Sequence, residues 1–365
     1  MKLAILGTVG IPGRYGGFET LAENLVRDHA ASGSADELTV YCSRTAYPDA
    51  PNTYLSAKLR YSRLNANGVQ SVLYDAVTLM DAVARRNDVL LLLGVSGAIV
   101  LPFIRLISRA RIVTNVDGIE WQRKKWSGIA SKFIRYSERL ALRYSHVVIA
   151  DNQGIADYLR EEYEVDAEVI AYGGDNAVEC ADNAAVSGDL PADYAIALCR
   201  IEPENNVAMI LEAFAKARRP LVFVGNWGNS AYGQELRARY KSHKELRLLD
   251  PIYDPKPLYS IRAGASAYVH GHSAGGTNPA LVEMMHFGIP VYAFDCIFNR
   301  YTTEERAQYF GDAEALTRLI TEEMPQQDKT FNGSAMREIA RRRYTWDKIS
   351  GHYFSVLRSE VKNSI

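Results

Sequence analysis

The sequence predicts an α/β protein made of two doubly wound halves that face one another across a cleft. Three observations carry this. Short apolar runs alternate with amphipathic helical stretches over the first 172 residues, the pattern of βαβ units around a parallel sheet. The alternation pauses near Tyr172-Gly173-Gly174 and a small, polar, alanine-bearing connector, Asp175 to Pro191, and then restarts. In each half a strand runs into a glycine-rich turn and a helix, the arrangement that places a ligand at the carboxyl ends of the strands.

In the first half, Lys2–Gly7, Leu38–Cys42, Asp88–Leu93, Arg111–Asn115 and His146–Ala150 read as buried strands. Phe18–Ala30 and Val72–Arg85 are two of the helices between them. In the second half the strands are Tyr194–Arg200, Leu221–Gly225, Leu246–Leu249, Ala267–Val269 and Val291–Phe294. Ile349, Tyr353, Val356 and Leu357 recur at helical spacing in the tail. The expected domains are therefore 1–172 and 173–344, with a helix in 345–365 packing back on the first.

At 365 residues, the chain suits two domains of ordinary size. Apolar residues make up 47% and charged residues 23%, as in soluble globular proteins. A net charge of -1 offers no global attraction to nucleic acid. Cys42, Cys180, Cys199 and Cys296 form no CxxC pair, so neither a zinc site nor a disulfide framework is expected, and the compartment reads as reducing and cytoplasmic. Lys2 leads straight into Leu-Ala-Ile-Leu-Gly, which reads as a first strand and not a signal core. The apolar run Val89 to Ile104 is too short to span a bilayer, and Gly94, Gly97 and Pro102 break it into strand, turn and helix.

Two motifs carry chemistry. The first is Gly7-Thr8-Val9-Gly10-Ile11-Pro12-Gly13-Arg14-Tyr15-Gly16-Gly17-Phe18-Glu19-Thr20, with five glycines in eleven residues. Glycines let backbone approach a phosphate or sugar, and a helix N-terminus follows. The spacing G-x-x-G-x-x-G differs from the dinucleotide fingerprint, and the second strand ends in Cys42-Ser43-Arg44 without an acid for a ribose. Arg44 suits a 2′-phosphate, so an NADP-linked oxidoreductase stays open.

The second motif runs from Val269 through His270-Gly271-His272-Ser273-Ala274-Gly275-Gly276-Thr277-Asn278-Pro279 to Glu283 and Pro290. Asn278 is a good N-cap, Pro279 a good first helical residue and Gly288 a good stop. The helix N-terminus attracts a diphosphate, and Glu283, one turn inside, can accept hydrogen bonds from ribose hydroxyls.

This second motif resembles the donor-site signature of glycosyltransferase family 4, with its GT-B fold. The opening Gly-Ile-Pro-Gly-Arg-Tyr-Gly-Gly-Phe-Glu-Thr resembles a narrower branch, bacterial β-1,4-rhamnosyltransferases of polysaccharide assembly. So do Asp117-Gly118-Ile119-Glu120-Trp121-Gln122-Arg123-Lys124-Lys125-Trp126, Arg200-Ile201-Glu202-Pro203-Glu204-Asn205-Asn206 and Tyr344-Thr345-Trp346. The resemblance covers essentially the whole chain. It departs from the broad family at Gly275, where most members carry a second Glu, at Asn205 in place of a Lys, and at Asp117 in place of a His.

The resemblance implies a retaining transferase that moves L-rhamnose from dTDP-β-L-rhamnose to a saccharide acceptor, lipid-linked in polysaccharide assembly. The donor is a substrate, and neither cofactor nor metal is implied. Arg200 would stabilise the leaving diphosphate, with Asp117 and Glu120 at the reacting sugar. Gly13, Gly16, Gly17, Ile252, His270, Gly275, Gly276, Thr277, Asn278 and Glu283 would meet the donor, with Asp250-Pro251-Ile252-Tyr253 at the base. Arg14, Tyr15 and Glu19 would meet the acceptor. A GT-B nucleotide-sugar epimerase and a non-catalytic sugar-nucleotide binder are the other readings of this fold.

From Trp121 to Tyr144 there are seven basic residues and one acid, Glu138, interleaved with Trp126, Ile129, Phe133, Ile134 and Tyr136. Such a helix can lie on an anionic bilayer, the expected partner surface, on the inner face of the cell membrane.

Overall fold

The computed structural model describes residues 1–13, 16–116, 118–119, 121, 128–179, 190–322 and 326–359. Its contacts divide the chain into two units, one comprising Met1–Ala171 and the segment from Trp346, the other Tyr172–Thr345.

The first unit holds β1 Lys2–Leu6, β2 Glu37–Ser43, β3 Thr53–Tyr54, β4 Ala57–Ser62, β5 Val89–Leu93, β6 Arg111–Val116, β7 Val147–Ala150 and β8 Glu168–Val169. The sheet order is β3-β4-β2-β1-β5-β6-β7-β8, parallel except for the short β3–β4 hairpin. Strands such as β5, Val-Leu-Leu-Leu-Leu, are buried at every position because helices cover both faces. The helices are α1 Gly17–Ala31, α2 Ser71–Ala84, α3 Leu101–Ile107, α4 Ile129–Tyr144 and α5 Gln153–Tyr163. The run Val89 to Ile104 is indeed strand, turn and helix: β5, a 3₁₀ turn Ser96–Val100 and the start of α3. No helix among the described residues is long and apolar enough to cross a membrane.

Sequence periodicity missed β3, β4 and β8. β4 reads Ala-Lys-Leu-Arg-Tyr-Ser, lies beside the sheet edge and is only partly buried. Lys58 pairs with Glu37 and Arg60 with Asp81, so its charges are held at the surface.

The second unit holds β9 Ala195–Leu198, β10 Leu221–Val224, β11 Leu246–Leu249, β12 Ala267–His270, β13 Val291–Phe294 and β14 Gln308–Phe310. The order is β11-β10-β9-β12-β13-β14, all parallel. Numbered within the unit this is 3-2-1-4-5-6, the order of dinucleotide-binding sheets. Its helices are α6 Val207–Ala217, α7 Ala231–Tyr240, α8 Pro255–Ala263, α9 Pro279–Phe287, α10 Ile297–Thr302, α11 Ala313–Thr321 and α12 Gln326–Arg343. Phe214, Phe223 and Trp227 anchor a core that also takes in Ile210, Val269 and Phe310.

After α12 the chain returns to the first unit as α13, Trp346–Arg358. It packs on α1, its buried Tyr353 hydroxyl accepts from Asn115 Nδ2 at 2.5 Å, and Arg358 pairs with Asp36 at 2.9 Å. Of the connector read in the sequence, Asp175–Val178 forms a 3₁₀ turn and 180–189 lie outside the described residues.

Candidate functional site

In the second unit the strand order reverses between β9 and β12. Chain leaving β9 crosses to β10 on one side, and chain leaving β12 crosses to β13 on the other. Their carboxyl ends therefore flank a crevice at the switch point, where such sheets take ligands. Arg200 emerges from β9 and Gly271–Asn278 from β12, so two segments separated by seventy residues of sequence meet there.

The two loops are stitched together. Asn205, buried, donates from Nδ2 to the Arg200 carbonyl at 2.7 Å. Asn206, in the left-handed region at φ 51°, donates from Nδ2 to the Gly271 carbonyl at 2.9 Å. The Ser273 hydroxyl and amide both donate to the Glu204 carbonyl, at 2.8 and 3.1 Å. On the far side Asn299 of α10 donates to the His272 carbonyl at 2.9 Å. A Cβ at Gly271 would lie 2.2 Å from the Asn205 carbonyl oxygen, so the close approach demands glycine. Asn205 thus braces the loop beneath Arg200. The Arg200 guanidinium is partly exposed, with Glu202 at 3.7 Å as a loose partner.

Past this loop, Gly275 takes φ 105°. Thr277 is buried, and Asn278 caps α9 by accepting from the Ala280 amide at 3.0 Å. Pro279 is the first helical residue, and Gly288 ends the helix at φ 69°. The amino end of α9 therefore keeps its partial positive charge beside the switch point.

Glu283 is not waiting alone. Arg262 of α8, buried, donates from Nη2 to Glu283 Oε2. Sequence reading missed Arg262: it looks like an ordinary basic residue in a last helical turn. Gly174 packs directly on the same turn of α9, where a Cβ would come within 2.7 Å of the Glu283 amide nitrogen. Glu283 is thus fixed from two sides.

His270 lies under the loop and not at its surface. It is 1% exposed, with the His272 ring stacked on it at 4.5 Å and the Tyr268 hydroxyl bonded to Nδ1 at 2.9 Å. Burial pushes its pKa down to about 3, so it is neutral at ordinary pH. His272, half-buried, is the ring nearer solvent. Beyond β11, Arg237 forks onto Asp250 at 2.8 and 3.3 Å and holds the Asp250–Tyr253 loop, with Ile252 half-buried and Tyr253 exposed.

The glycine-rich loop belongs to the first unit's own switch point, between β1 and β5. A Cβ on Gly7 would lie 2.0 Å from the Leu93 carbonyl oxygen of β5, and φ is 83°. The loop's amide donors are largely used internally. The Val9 amide donates to Glu19 Oε1 at 2.8 Å, the Gly10 amide to Thr8 Oγ1 at 2.7 Å and the Gly13 amide to Glu23 Oε2 at 2.7 Å. Glu19 and Glu23, one turn apart on α1, therefore brace the loop from below. Tyr47 donates to the Pro12 carbonyl and Tyr74 to the Thr8 carbonyl, at 2.8 and 3.0 Å. A loop whose Val9, Gly10 and Gly13 amides are already bonded within it, two of them to carboxylates, is poorly suited to cradle a pyrophosphate. Gly16 and Gly17 form the uncapped start of α1, where a Cβ on Gly16 would strike Glu19 Oε2.

The structure thus gathers Arg200, Gly275, Gly276, Thr277, Asn278 and Glu283 around one switch point, and Gly13, Gly16, Gly17 and Glu19 around the other. Arg14, Tyr15, Asp117 and Glu120 lie outside the described residues. Among the described residues no group of three or more His, Cys, Asp or Glu is arranged to hold a metal.

Residues 1–175 match the family model described as a domain of unknown function, DUF1972. No curated protein matches the chain by sequence. Its structure is similar to sucrose-phosphate synthase from Thermosynechococcus elongatus, with a TM-score of 0.78 at 15% identity over 98% of both chains. A glycosyltransferase from Rickettsia africae gives 0.72 at 14% identity, over 100% of this chain and 99% of that one. Anabaena HepE in complex with UDP and glucose gives 0.70 at 16% identity, over 99% and 100%. These likenesses show the fold: two Rossmann-like units of the GT-B glycosyltransferase architecture.

Proposed function

We propose that this chain is a retaining glycosyltransferase that moves L-rhamnose from dTDP-β-L-rhamnose to a lipid-linked saccharide acceptor in bacterial polysaccharide assembly. The observation that carries the reading is the second unit's switch point, where Arg200, the amino end of α9 and the clamped Glu283 converge. A nucleoside diphosphate suits all three: the cation and helix amides meet its charge, and the carboxylate meets its ribose. HepE, of the same fold, binds UDP and glucose.

In the transfer, the bond between the sugar's anomeric carbon and the donor phosphate breaks, and the acceptor oxygen bonds to that carbon. Charge builds on the departing diphosphate, where Arg200 and the amides near Gly276-Thr277-Asn278 stabilise it. The acceptor hydroxyl's proton passes to the donor phosphate, on the same face, which keeps the anomeric configuration. Asp117 and Glu120 orient the sugar and acceptor. Arg14 and Tyr15 contact the acceptor, and Glu19 shapes that contact through the loop it braces. The donor is a substrate, so no cofactor is consumed. The Asp250–Tyr253 loop meets the base. A lipid-linked acceptor puts the enzyme to work beside the cytoplasmic leaflet.

Incubation with dTDP-β-L-rhamnose and a synthetic lipid-linked saccharide, read by mass spectrometry, tests this. The expected product is heavier by one deoxyhexose. Transfer from UDP-glucose alone would leave the transferase and discard the rhamnose. Donor epimerised or hydrolysed without an acceptor would replace transfer with the epimerase reading. The NADP-linked alternative loses support because the Val9, Gly10 and Gly13 amides are already occupied.

A further inference from the structure

Apart from Met1 and Leu55, the large exposed apolar side chains of the first unit lie on one side of its sheet. Right-handed crossovers from β4 to β5, β5 to β6 and β6 to β7 put α2, α3 and α4 on one side of the sheet. The 3₁₀ turn Ser96–Val100 packs against α2, α3 and α4 and joins them into one face. On that face lie Leu73 and Val77 of α2, Ile99 of the turn, Phe103, Leu106 and Ile107 of α3, and Ile129 and Tyr136 of α4, all exposed. Leu106 is 84% exposed and Phe103 is 52% exposed. Clustered exposed apolar side chains on a folded unit mark an interaction surface.

Its unpaired charge is positive, since Asp81 of α2 is tied to Arg60 and Arg85, and Glu162 of α5 to Arg135 of α4. Arg105 and Arg109 are exposed on or just after α3, and Lys132, Arg139 and Arg143 on α4. Ser96 to Val116 contains no Asp or Glu. The single acid of α4, Glu138, is 1% exposed and takes hydrogen bonds from Tyr158 and Tyr163 at 3.0 and 2.7 Å. No carboxylate among the described residues pairs with Arg109, Lys132, Arg139 or Arg143. Arg105 instead lies against His146, whose pKa burial and the Arg105 and Arg111 charges push down to about 4, so no second cation competes there.

We infer that this α2–α3–α4 face docks on an anionic lipid surface, with Phe103, Leu106 and Ile107 entering the interface and the α4 cations meeting lipid phosphates. The combination of protruding apolar groups with unneutralised Lys and Arg fits a headgroup layer. A protein partner would need acidic residues around an apolar knob, and a second copy would set like charges against each other. The inference rests on the transferase reading only for its purpose, since a lipid-linked acceptor needs such a surface. It moves the apolar weight from the basic helix read in the sequence to α3.

Flotation of the full chain with phosphatidylcholine vesicles, with and without phosphatidylglycerol, tests it. Binding is expected only with phosphatidylglycerol and should fall at high salt. Leu106→Ser with Phe103→Ser should lower binding by roughly tenfold or more. Lys132→Gln with Arg139→Gln should lower it by roughly thirtyfold. All four sites are exposed, and unchanged circular dichroism melts would confirm intact folding. No binding to either vesicle, equal binding to both, or variants that bind like the parent would overturn the inference. So would a concentration-dependent dimer abolished by Leu106→Ser, which would make a second copy the occupant. Vesicle binding is read without any sugar, so its failure is distinct from failure of transfer.

Discussion

Arg200 and Arg262 have different tasks, and substitution separates them. Arg200 is partly exposed and only loosely tied to Glu202, so it is free to turn toward a diphosphate. Arg200→Ala should lower kcat by roughly 10²–10³-fold with little change in melting temperature. A steady-state rate near the parent's would remove Arg200 from the chemistry. Arg262 is enclosed and holds Glu283, so Arg262→Gln leaves a carboxylate without its cation. Stability should fall by about 3–5 kcal/mol in denaturant unfolding, and the donor KM should rise more than kcat falls. Arg262→Lys should recover part of both.

Asp75 carries a pH signature. It is buried on α2, takes a hydrogen bond from Ser96, and burial raises its pKa to about 7 from 3.8. Because the folded pKa is above the unfolded one, folding favours the protonated form. Its stabilising share is complete below about pH 4 and is lost as pH rises through about 7. Asp75→Asn should therefore melt higher than the parent at about pH 8 and no higher near pH 4. A gain independent of pH, seen by calorimetry, would contradict this.

Among the elements, α9 was readable to its ends. Asn278, Pro279 and Gly288 each have a local physical task that residue type reveals. Asn278→Ala should cost about 1 kcal/mol and weaken nucleotide binding together, measured by thermal shift with and without ligand. The partner of Glu283 was not readable, because Arg262 reaches it across 21 residues through the packing of α8 on α9. The glycine loop was half readable. Its glycine count signalled close approaches, as at Gly7 against β5. That Glu19 and Glu23 would spend the loop's donors depends on how α1 sits beneath it. Strands β3, β8 and β14 escaped because they are short and at an edge, and β4, next to the edge, because only Ala57 and Leu59 of its six residues are fully buried.

At the scale of the molecule, two sheets share the same order of crossings, and each puts a glycine-rich segment at its switch point. The repetition of alternating runs on either side of residues 172–191 made both units visible. The tail read as a helix that packs back on the first unit, but the residues that hold it there were not readable. Its anchoring residues, Asn115 and Asp36, lie far away in sequence.

The proposed transfer requires the second unit's switch point to take a nucleoside diphosphate sugar. Isothermal titration of the full chain with dTDP, dTDP-β-L-rhamnose, UDP-glucose and NADPH, repeated on Arg200→Ala, tests it most directly. Saturable binding of dTDP and dTDP-β-L-rhamnose is expected, weakened at least about tenfold by Arg200→Ala, with no heat on adding NADPH. Binding of NADPH alone, or nucleotide binding indifferent to Arg200, would contradict it.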